Sequence, residues 1–537
     1  MPKRRTTCRT SWQATPNIAE TLRRSALLLA CVGALCAPTP APPALPPLAT
    51  ILAQHLDALE ALRVREPQSY ETTGTLLGAG ISGTFHDWAE GDKARRDDSF
   101  GIRTERTLRL GDRLWQQNSN GEIRELQGIS ARRQITEDFI DNGAFARHPE
   151  DVRFVDHEKL YDGREVYVLA VAAPNGEPYR VALDTKTWLV DQKAFVNGDS
   201  LETVTYSDYK VVDGFLIAYT EIDSDGTHAF DITSHVTTVS VDQPIAASTF
   251  ELLTAATVNN ATPITVPYEE HGGLMFAKVT IDGKQRTFLI DSAAQADVFD
   301  VSLASALGLH PEGTVEIRGT GRTTSPGVVE APPITLGGVT FPMRIATVLK
   351  LPPFQESVDG ILGYPFFAAA ELRFDPTQDR LTIGQPGSLP LDGTKLDVDT
   401  DRELPEITAE VQGASTRVIV DTGDSRELLV FKSFIDQHPG LVSLAMLGPT
   451  LNRGIGGSVD TVGTIVNVLQ IGPYRLFNRY ADVVLSTTGA FADRNDGGNV
   501  GYGSLRNFVV TFDLADHALY LQKAFGFDDG HDRRIPQ

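Results

Sequence analysis

No cysteine follows residue 36; the chain's three, Cys8, Cys31 and Cys36, all lie near its start. A disulfide framework, a zinc knuckle and a cysteine nucleophile are therefore excluded from the body of the protein. Long hydrophobic runs are also missing. The apolar run SALLLACVGALCA at 25–37 is too short for a comfortable membrane span, and no other segment reaches that length. Basic residues are in deficit, 48 Lys and Arg against 70 Asp and Glu, for a formal net charge of −22. Such a surface repels nucleic acid and anionic lipid, and its first effect is solubility. Neither HExxH nor GxSxG occurs, so two common hydrolytic chemistries have no support. With 537 residues the chain is too long for one core, and two to four domains are expected.

What is present begins with Lys3, Arg4, Arg5, Arg23 and Arg24 ahead of the apolar run. That order predicts an export signal over 1–37, cleaved after Ala37, and a Pro-rich linker over 38–47. An exported protein, periplasmic or secreted, is expected. LLAC at 28–31 faintly matches a lipid-attachment box, so contact with a membrane is expected only if Cys31 is lipidated.

In the next segment, 48–255, Leu52, Leu56, Leu59 and Leu62 repeat at helical spacing and predict one helix, ended by Pro67. From Tyr70 onward the rhythm changes. Asp162-Gly163, Asn175-Gly176, Asn197-Gly198, Asp213-Gly214 and Asp225-Gly226 are hairpin signals between short runs such as EVYVLAVAA and FLIAYTEID. An antiparallel meander with one or two helices is expected. His148 and His157 have no partners at ligand spacing, and no metal site is read here. YRVALDTKTWLVDQKAF followed by YSDYKVVDGFLIAYTEI resembles the bacterial outer-membrane lipoprotein-carrier domains, half-open β-barrels closed by helices over an apolar cavity. The resemblance implies a lipid-like or peptide ligand. The alternative is a sheet domain that positions the C-terminal half of the chain.

An internal repeat occupies the rest of the chain. FAKVTIDGKQRTFLIDSAAQADVF at 276–299 parallels PEITAEVQGASTRVIVDTGDSRELLVF at 405–431, and each places an acid after its second strand, Asp291 and Asp421. Further on, Gly363-Tyr364 aligns with Gly501-Tyr502, and Phe374-Asp375 with Phe512-Asp513, with 12 residues from glycine to acid in both copies. Asp375 and Asp513 read as turn-closing residues. Between these blocks lie two Gly-rich stretches, GTGRTTSPG at 319–327 and GIGGSVDTVG at 454–463.

VIVDTG at 418–423, FLIDSA at 288–293 and the later ILG at 361–363 resemble the aspartic proteases of the pepsin and retropepsin type. Together the two resemblances imply a mainly β protein: an N-terminal antiparallel half-barrel-like sheet with helices, then two pseudo-symmetric acid-protease β-barrel lobes at 256–388 and 389–537. It implies an aspartic endopeptidase, with Asp291 and Asp421 sharing one proton and activating water between them. Ser292 and Thr422 would fix the two loops to each other, and Gly423 would let the backbone approach the opposite acid. Gly319, Gly321, Gly454 and Gly456 become candidates for a cover over an extended peptide or protein substrate. The first stretch has no tyrosine of the pepsin flap kind. No cofactor or metal is implied, and with both copies in one chain a monomer is expected.

Departures from the pattern matter. Ala293 stands where the family has glycine, and its methyl would crowd the loop or force an unfavourable backbone angle. Asp424 follows DTG; it modulates the dyad if it points inward and does nothing if it faces solvent. Asn499-Val500-Gly501 puts a polar residue where the first copy has Ile361. Two alternatives stand beside the protease: a degenerate protease fold that binds peptides without cutting, and an exported lipid or lipoprotein carrier with the lobes as a docking module.

Overall fold

Strands built from those alternating runs form one antiparallel sheet of 13 strands between Ser69 and Val241. In the computed structural model, residues 45–160, 162–198, 200–354, 357–444 and 447–533 are described. The export signal, Cys31 and most of the Pro-rich linker lie outside them. The protein is mainly β, and Pro47–Gln537 forms one unit. No helix among the described residues is long and apolar enough to cross a membrane.

The predicted dipeptides sit at chain reversals. At one of them Asp213 and Gly214 both take positive φ, 50° and 88°, between strands Ser200–Val212 and Phe215–Ser224. That is the twist a tight hairpin requires. The last strand, Ile232–Val241, returns to pair with the first, Ser69–Gly78. The edge strands Ile123–Leu126 and Val152–Lys159 stay apart in the strand order, so the sheet is a half-barrel. The first helix, Leu48–Ala61, stops ahead of Pro67. There Arg63 enters the left-handed region and the Val64 N–H bonds back to Leu59 O at 3.0 Å.

This helix and a second, Gly128–Asp141, cover one face of the sheet through Ile51, Leu52, Ile140, Leu169, Tyr179 and Val181. Beyond the helices the same face turns polar. Arg96 lies between Asp87 (3.3 Å) and Asp98 (2.9 Å), and Lys193 reaches Asp141 of the second helix at 2.9 Å. Burial holds Glu221 near 7 and Asp223 near 6 on this strip. The lining implied by the carrier resemblance is thus apolar only under the helices.

Each copy of the repeat then builds its own sheet with the same wiring. In the first, Lys284–Ile290 pairs in parallel with Gly360–Leu362, which runs antiparallel to Val298–Asp300, which is parallel to Ile345–Leu349. In the second, Ala414–Asp421 pairs in parallel with Gly498–Gly501, which runs antiparallel to Leu428–Val430, which is parallel to Tyr474–Val484. A third, six-stranded sheet joins the copies where Glu371–Asp375 meets Phe508–Asp513, with Leu372 opposite Phe512. Phe374 and Phe512 of this sheet meet Phe367 of the helix Tyr364–Ala368, the three ring centroids lying within 6.0 Å of one another. Asp375 closes a turn as expected, accepting from Thr377 N at 2.9 Å.

The N-terminal sheet is seated on these lobes by polar contacts. Asn120 Oδ1 accepts from Arg344 N (2.8 Å) and Ile345 N (3.0 Å). Asp401, from the connector between lobes, accepts from Gln127 N (2.6 Å) and Ser130 N (3.1 Å). It thereby caps the second helix, which has no side-chain cap of its own. Between sheet and first lobe lies a cavity of about 10 Å³, lined by Glu122, Asp297, Phe341, Met343 and Phe366 among others. Glu122 Oε2 and Asp297 Oδ2 are both buried there without a hydrogen-bond partner. Burial pushes Asp297 up to about 8 and Glu122 well above the carboxylate range. Glu403 and Asp297 raise Glu122 further, and Arg124 opposes them.

A carboxyl whose folded value is raised keeps its proton on folding. Its contribution is complete below about pH 4 and is lost as pH rises through about 8. Stability of the wild type should therefore decline between about pH 5 and 8. Asp297→Asn keeps an acceptor for Gly363 N and offers Glu122 a donor. We expect it to raise stability at pH 8 by about 1–3 kcal/mol in urea unfolding, with a smaller gain at pH 5. An equal effect at both pH values would contradict this reading.

Candidate functional site

Asp291 follows strand Lys284–Ile290 and Asp421 ends strand Ala414–Asp421. Both strands are apolar toward the core, with Phe288, Ile290, Val418 and Val420 fully buried, so each acid emerges from a rigid base. The next residues lock the two loops together. Ser292 N donates to Thr422 Oγ1 (2.9 Å), and Thr422 N donates to Ser292 Oγ (3.0 Å). The hydroxyls continue the exchange, Ser292 Oγ to Val420 O (2.6 Å) and Thr422 Oγ1 to Ile290 O (3.0 Å). All four bonds cross between the copies.

This lattice sets the acids side by side. Gly423 lies so close to Asp291 that a Cβ on it would fall 2.2 Å from the Asp291 Cγ. Each carboxylate accepts from its own loop, Asp291 Oδ1 from Ala293 N (3.0 Å) and Asp421 Oδ1 from Gly423 N (2.9 Å). Burial pushes Asp291 up to about 6. Burial, then the charges of Asp291 and Asp424, push Asp421 well above the carboxylate range. Asp421 is buried and Asp291 half-buried, and two acids held this close titrate as a pair.

The departures from the family pattern have physical outcomes. Ala293 does not adopt a positive φ, so the expected backbone conflict does not arise. Its methyl packs with Ile419, Leu429, Phe431 and Val484. Asp424 is not on the solvent side: it is 7 % exposed, and its Oδ1 accepts from Arg426 N (3.0 Å) and Nη1 (3.1 Å). Arg426 also pairs with Asp482 and reaches Leu451 O (3.3 Å), tying Asp424 to the strand Gly448–Gly454. Asn499, 3 % exposed, donates from Nδ2 to Asp421 Oδ2 at 2.6 Å.

The Gly-rich stretches form two hairpins. Ile317–Arg318 pairs with Thr323–Thr324, and Gly448–Gly454 pairs with Gly457–Ile471. Their tips meet backbone to backbone: a Cβ on Gly319 would lie 2.2 Å from Ile455 O, and one on Gly456 2.4 Å from Arg322 O. Gly321 and Gly454 occupy the same junction, against Gly456 O and Thr320 Oγ1. Ile455 packs onto the first lobe's Phe276, Leu289, Val298 and Ile361, a cluster that Ala294 also joins. Val459 packs with Ile419 and Ala293. The four glycines are therefore brought together, and the hairpins reach the residues next to both acids. Arg318 of the first hairpin also bonds Ser200 Oγ, at a reversal of the N-terminal sheet.

The sequence reading passed over Arg426 and the buried partner Asp297, whose Oδ1 accepts from Gly363 N at 2.7 Å behind the Asp291 loop. Asp297 carries no motif, and only its place in an apolar run marks it. For Asn499 the signal was visible, as a polar residue inside the second glycine block. His148 does have neighbours, because Glu150 and Asp151 offer oxygens within 4.8 Å of it and of each other. The three lie at the surface, spaced too closely in sequence for the ligand pattern sought.

Two β lobes joined by a shared sheet, each presenting a strand-end acid to the other, define the class of site. A family model described as an aspartyl protease matches residues 277–366, which include Asp291 and the Gly363 block. No curated protein matches. Among solved structures, a DUF1329 family protein from Desulfovibrio piger is 12% identical, covering 37% of this chain and 97% of its own, with a TM-score of 0.26. A LolA superfamily protein from Nitrosomonas europaea is 13% identical, with the same coverage and TM-score. Likenesses this weak carry no argument about function.

The asymmetry between Gly423 and Ala293 gives a direct test. Gly423→Ala should force the loops apart and cost about 1–3 kcal/mol in chemical denaturation. Ala293→Gly should change stability by less than about 1 kcal/mol. Equal costs would show that the close approach at Gly423 is not needed.

Proposed function

We propose that this chain is an aspartic endopeptidase that hydrolyses peptide bonds through a water activated between Asp291 and Asp421. The observation that carries the reading is the four-bond exchange between Ser292 and Thr422, which holds two carboxyl groups together. A pair that shares one proton has both partners needed for water addition to an amide. One carboxylate takes a proton from water, and one carboxylic acid donates to the carbonyl oxygen. The aspartyl protease match over 277–366 supports the same class.

The two hairpins supply strand edges above the acids, so an extended peptide is the substrate form that suits them. The N-terminal export-type segment favours a periplasmic or secreted location, with a lipid tie only if Cys31 is modified. Both lobes lie in one chain, which suits a monomer. The peptide-binding, non-cutting alternative rested on Ala293 crowding its loop, and Ala293 sits there without a positive φ.

The deciding experiment is cleavage of a mixed peptide library by the purified protein. Cleavage is expected to be blocked by a peptide mimic of the tetrahedral intermediate and to fall at least about 1,000-fold in Asp291→Asn and Asp421→Asn. Binding without cleavage from acid to neutral pH would favour the degenerate reading. Because burial raises both acids, the acid limb of the kcat/KM profile should lie near pH 6, and activity should fall at higher pH as the pair loses its shared proton. Asp424 raises both acids, so Asp424→Asn should move the whole kcat/KM profile to lower pH. An unmoved profile would remove Asp424 from the site.

A further inference from the structure

We propose that Ser200 of the N-terminal sheet is a latch on the cover of the acid pair, holding the first hairpin closed through Arg318, so that this sheet regulates entry to the cleft. The inference rests on the peptidase reading above and adds to it what controls access. The first hairpin has little cohesion of its own, since Ile317–Arg318 pairs with Thr323–Thr324 over two residues a side. Its position is set by what grips it from outside. The second hairpin meets its tip, where a Cβ on Gly456 would lie 2.4 Å from Arg322 O. The second lobe holds its backbone, Ala490 N donating to Gly319 O at 3.1 Å. The N-terminal sheet holds its side, Arg318 Nη2 donating to Ser200 Oγ. This last grip comes from outside the duplicated lobes.

The latch is braced at both ends. Arg318 Nε donates to Glu316 Oε1 at 3.1 Å, which aims the guanidinium. Ser200 opens strand Ser200–Val212 and pairs with Asn197, the last residue of strand Val190–Asn197. Arg133 of the second helix supports that strand end from behind. Its Nη2 donates to Val196 O and Asn197 Oδ1, both at 3.1 Å, and its guanidinium lies 4.4 Å from the centre of the Phe195 ring. Next to these residues, a Cβ on Gly198 would lie 3.4 Å from Asp493 Oδ1 of the second lobe. Asp493 pairs with Arg402 of the connector, whose carbonyl accepts from Gln295 Nε2 at 2.6 Å, just beyond the Asp291 loop. The strand end thus reaches the first hairpin, the second lobe and the connector at one place.

What the latch keeps shut is the seat of Ile455. A Cβ on Gly319 would lie 2.2 Å from Ile455 O, so the two hairpins move together. The Ile455 side chain packs onto Phe276, Leu289, Val298 and Ile361. Leu289 and Asp291 alternate with the core residues Phe288 and Ile290, so Ile455 rests on the same side of the strand as Asp291. A peptide reaching the acids must lift it, and the Arg318–Ser200 bond opposes the lift.

The absence of cysteine after residue 36 makes the movement measurable. In a full chain with Cys8, Cys31 and Cys36 changed to serine, Ile455→Cys places one thiol under the cover. Its rate of reaction with iodoacetamide reports how often the cover lifts. Adding Arg318→Ala or Ser200→Ala should raise that rate by about tenfold or more, the effect of losing one hydrogen bond from a charged donor. Ser200→Thr keeps the hydroxyl and should leave the rate unchanged. Ser200→Ala decides the matter, because Arg318→Ala also removes the bond to Glu316 inside the hairpin. With Ile455 native, a peptide carrying a secondary alcohol in place of the scissile amide should associate faster by a similar factor in Ser200→Ala. An unchanged labelling rate in Ser200→Ala overturns the proposal. So does faster labelling with unchanged peptide association, since the hairpin would then move without governing entry. Neither readout needs turnover. Should the wild type cut nothing while both readouts respond, the peptidase reading fails and the latch stands.

Discussion

The hydrogen-bond exchange between Ser292 and Thr422 is the interaction on which the site depends. Two like charges about 4 Å apart at an effective dielectric of about 20 repel by about 4 kcal/mol. Four neutral hydrogen bonds at about 1 kcal/mol each are of the same size. The lattice can therefore hold the acids together comfortably only while the pair keeps a proton. Geometry and protonation are linked here, since opening the loops and ionising the second acid favour each other. The buried strand ends beneath each loop, and the shared sheet through Leu372 and Phe512, keep this contest confined to a few residues.

Legibility in the sequence depended on how local the signal was. Turn dipeptides and alternating runs encode hairpins directly, so the N-terminal meander could be read strand by strand. The repeat disclosed the acids, Ser292 and Thr422 because a duplicated motif reports long-range pairing without a contact map. What could not be read were partners brought in from afar. Arg426 reaches Asp482, and Asp401 caps a helix of another sheet. Pairings of this kind depend on how strands cross. They leave no periodicity behind. Ala293 was misjudged for a related reason. Its strain depends on φ, and the sequence gives residue type but not φ.

The two copies share wiring and differ in chemistry. The first glycine block, Ile361-Leu362-Gly363, puts Ile361 into an apolar cluster, and the second puts Asn499 against Asp421. The first hairpin pairs over two residues a side, whereas the second continues into the long strand Gly457–Ile471. Duplication yields two equivalent acids, but general acid–base work on one amide needs two different ones. Unequal surroundings are what the proposed chemistry would require. The second lobe holds most of the polar additions: Asp424, Arg426, Asp482 and Asn499.

The N-terminal sheet touches this machinery at points that are structurally distinct. Through Asp401 it exchanges a helix cap with the connector between the lobes, through Ser200 it meets the first hairpin, and through Glu122 it faces Asp297 behind the Asp291 loop. A domain that served only as a tether would need none of these. The placing of Glu122 and Asp297 on one cavity is informative because it is unfavourable once both are ionised. Apolar side chains of similar volume would pack there without an electrostatic cost, and a single buried carboxyl would need only one donor. Two facing carboxyls from different parts of the chain make the junction tighter in acid and looser toward neutral pH. The acid pair loses its proton in the same direction, so one rise in pH both removes that proton and slackens the support behind the loop that carries Asp291.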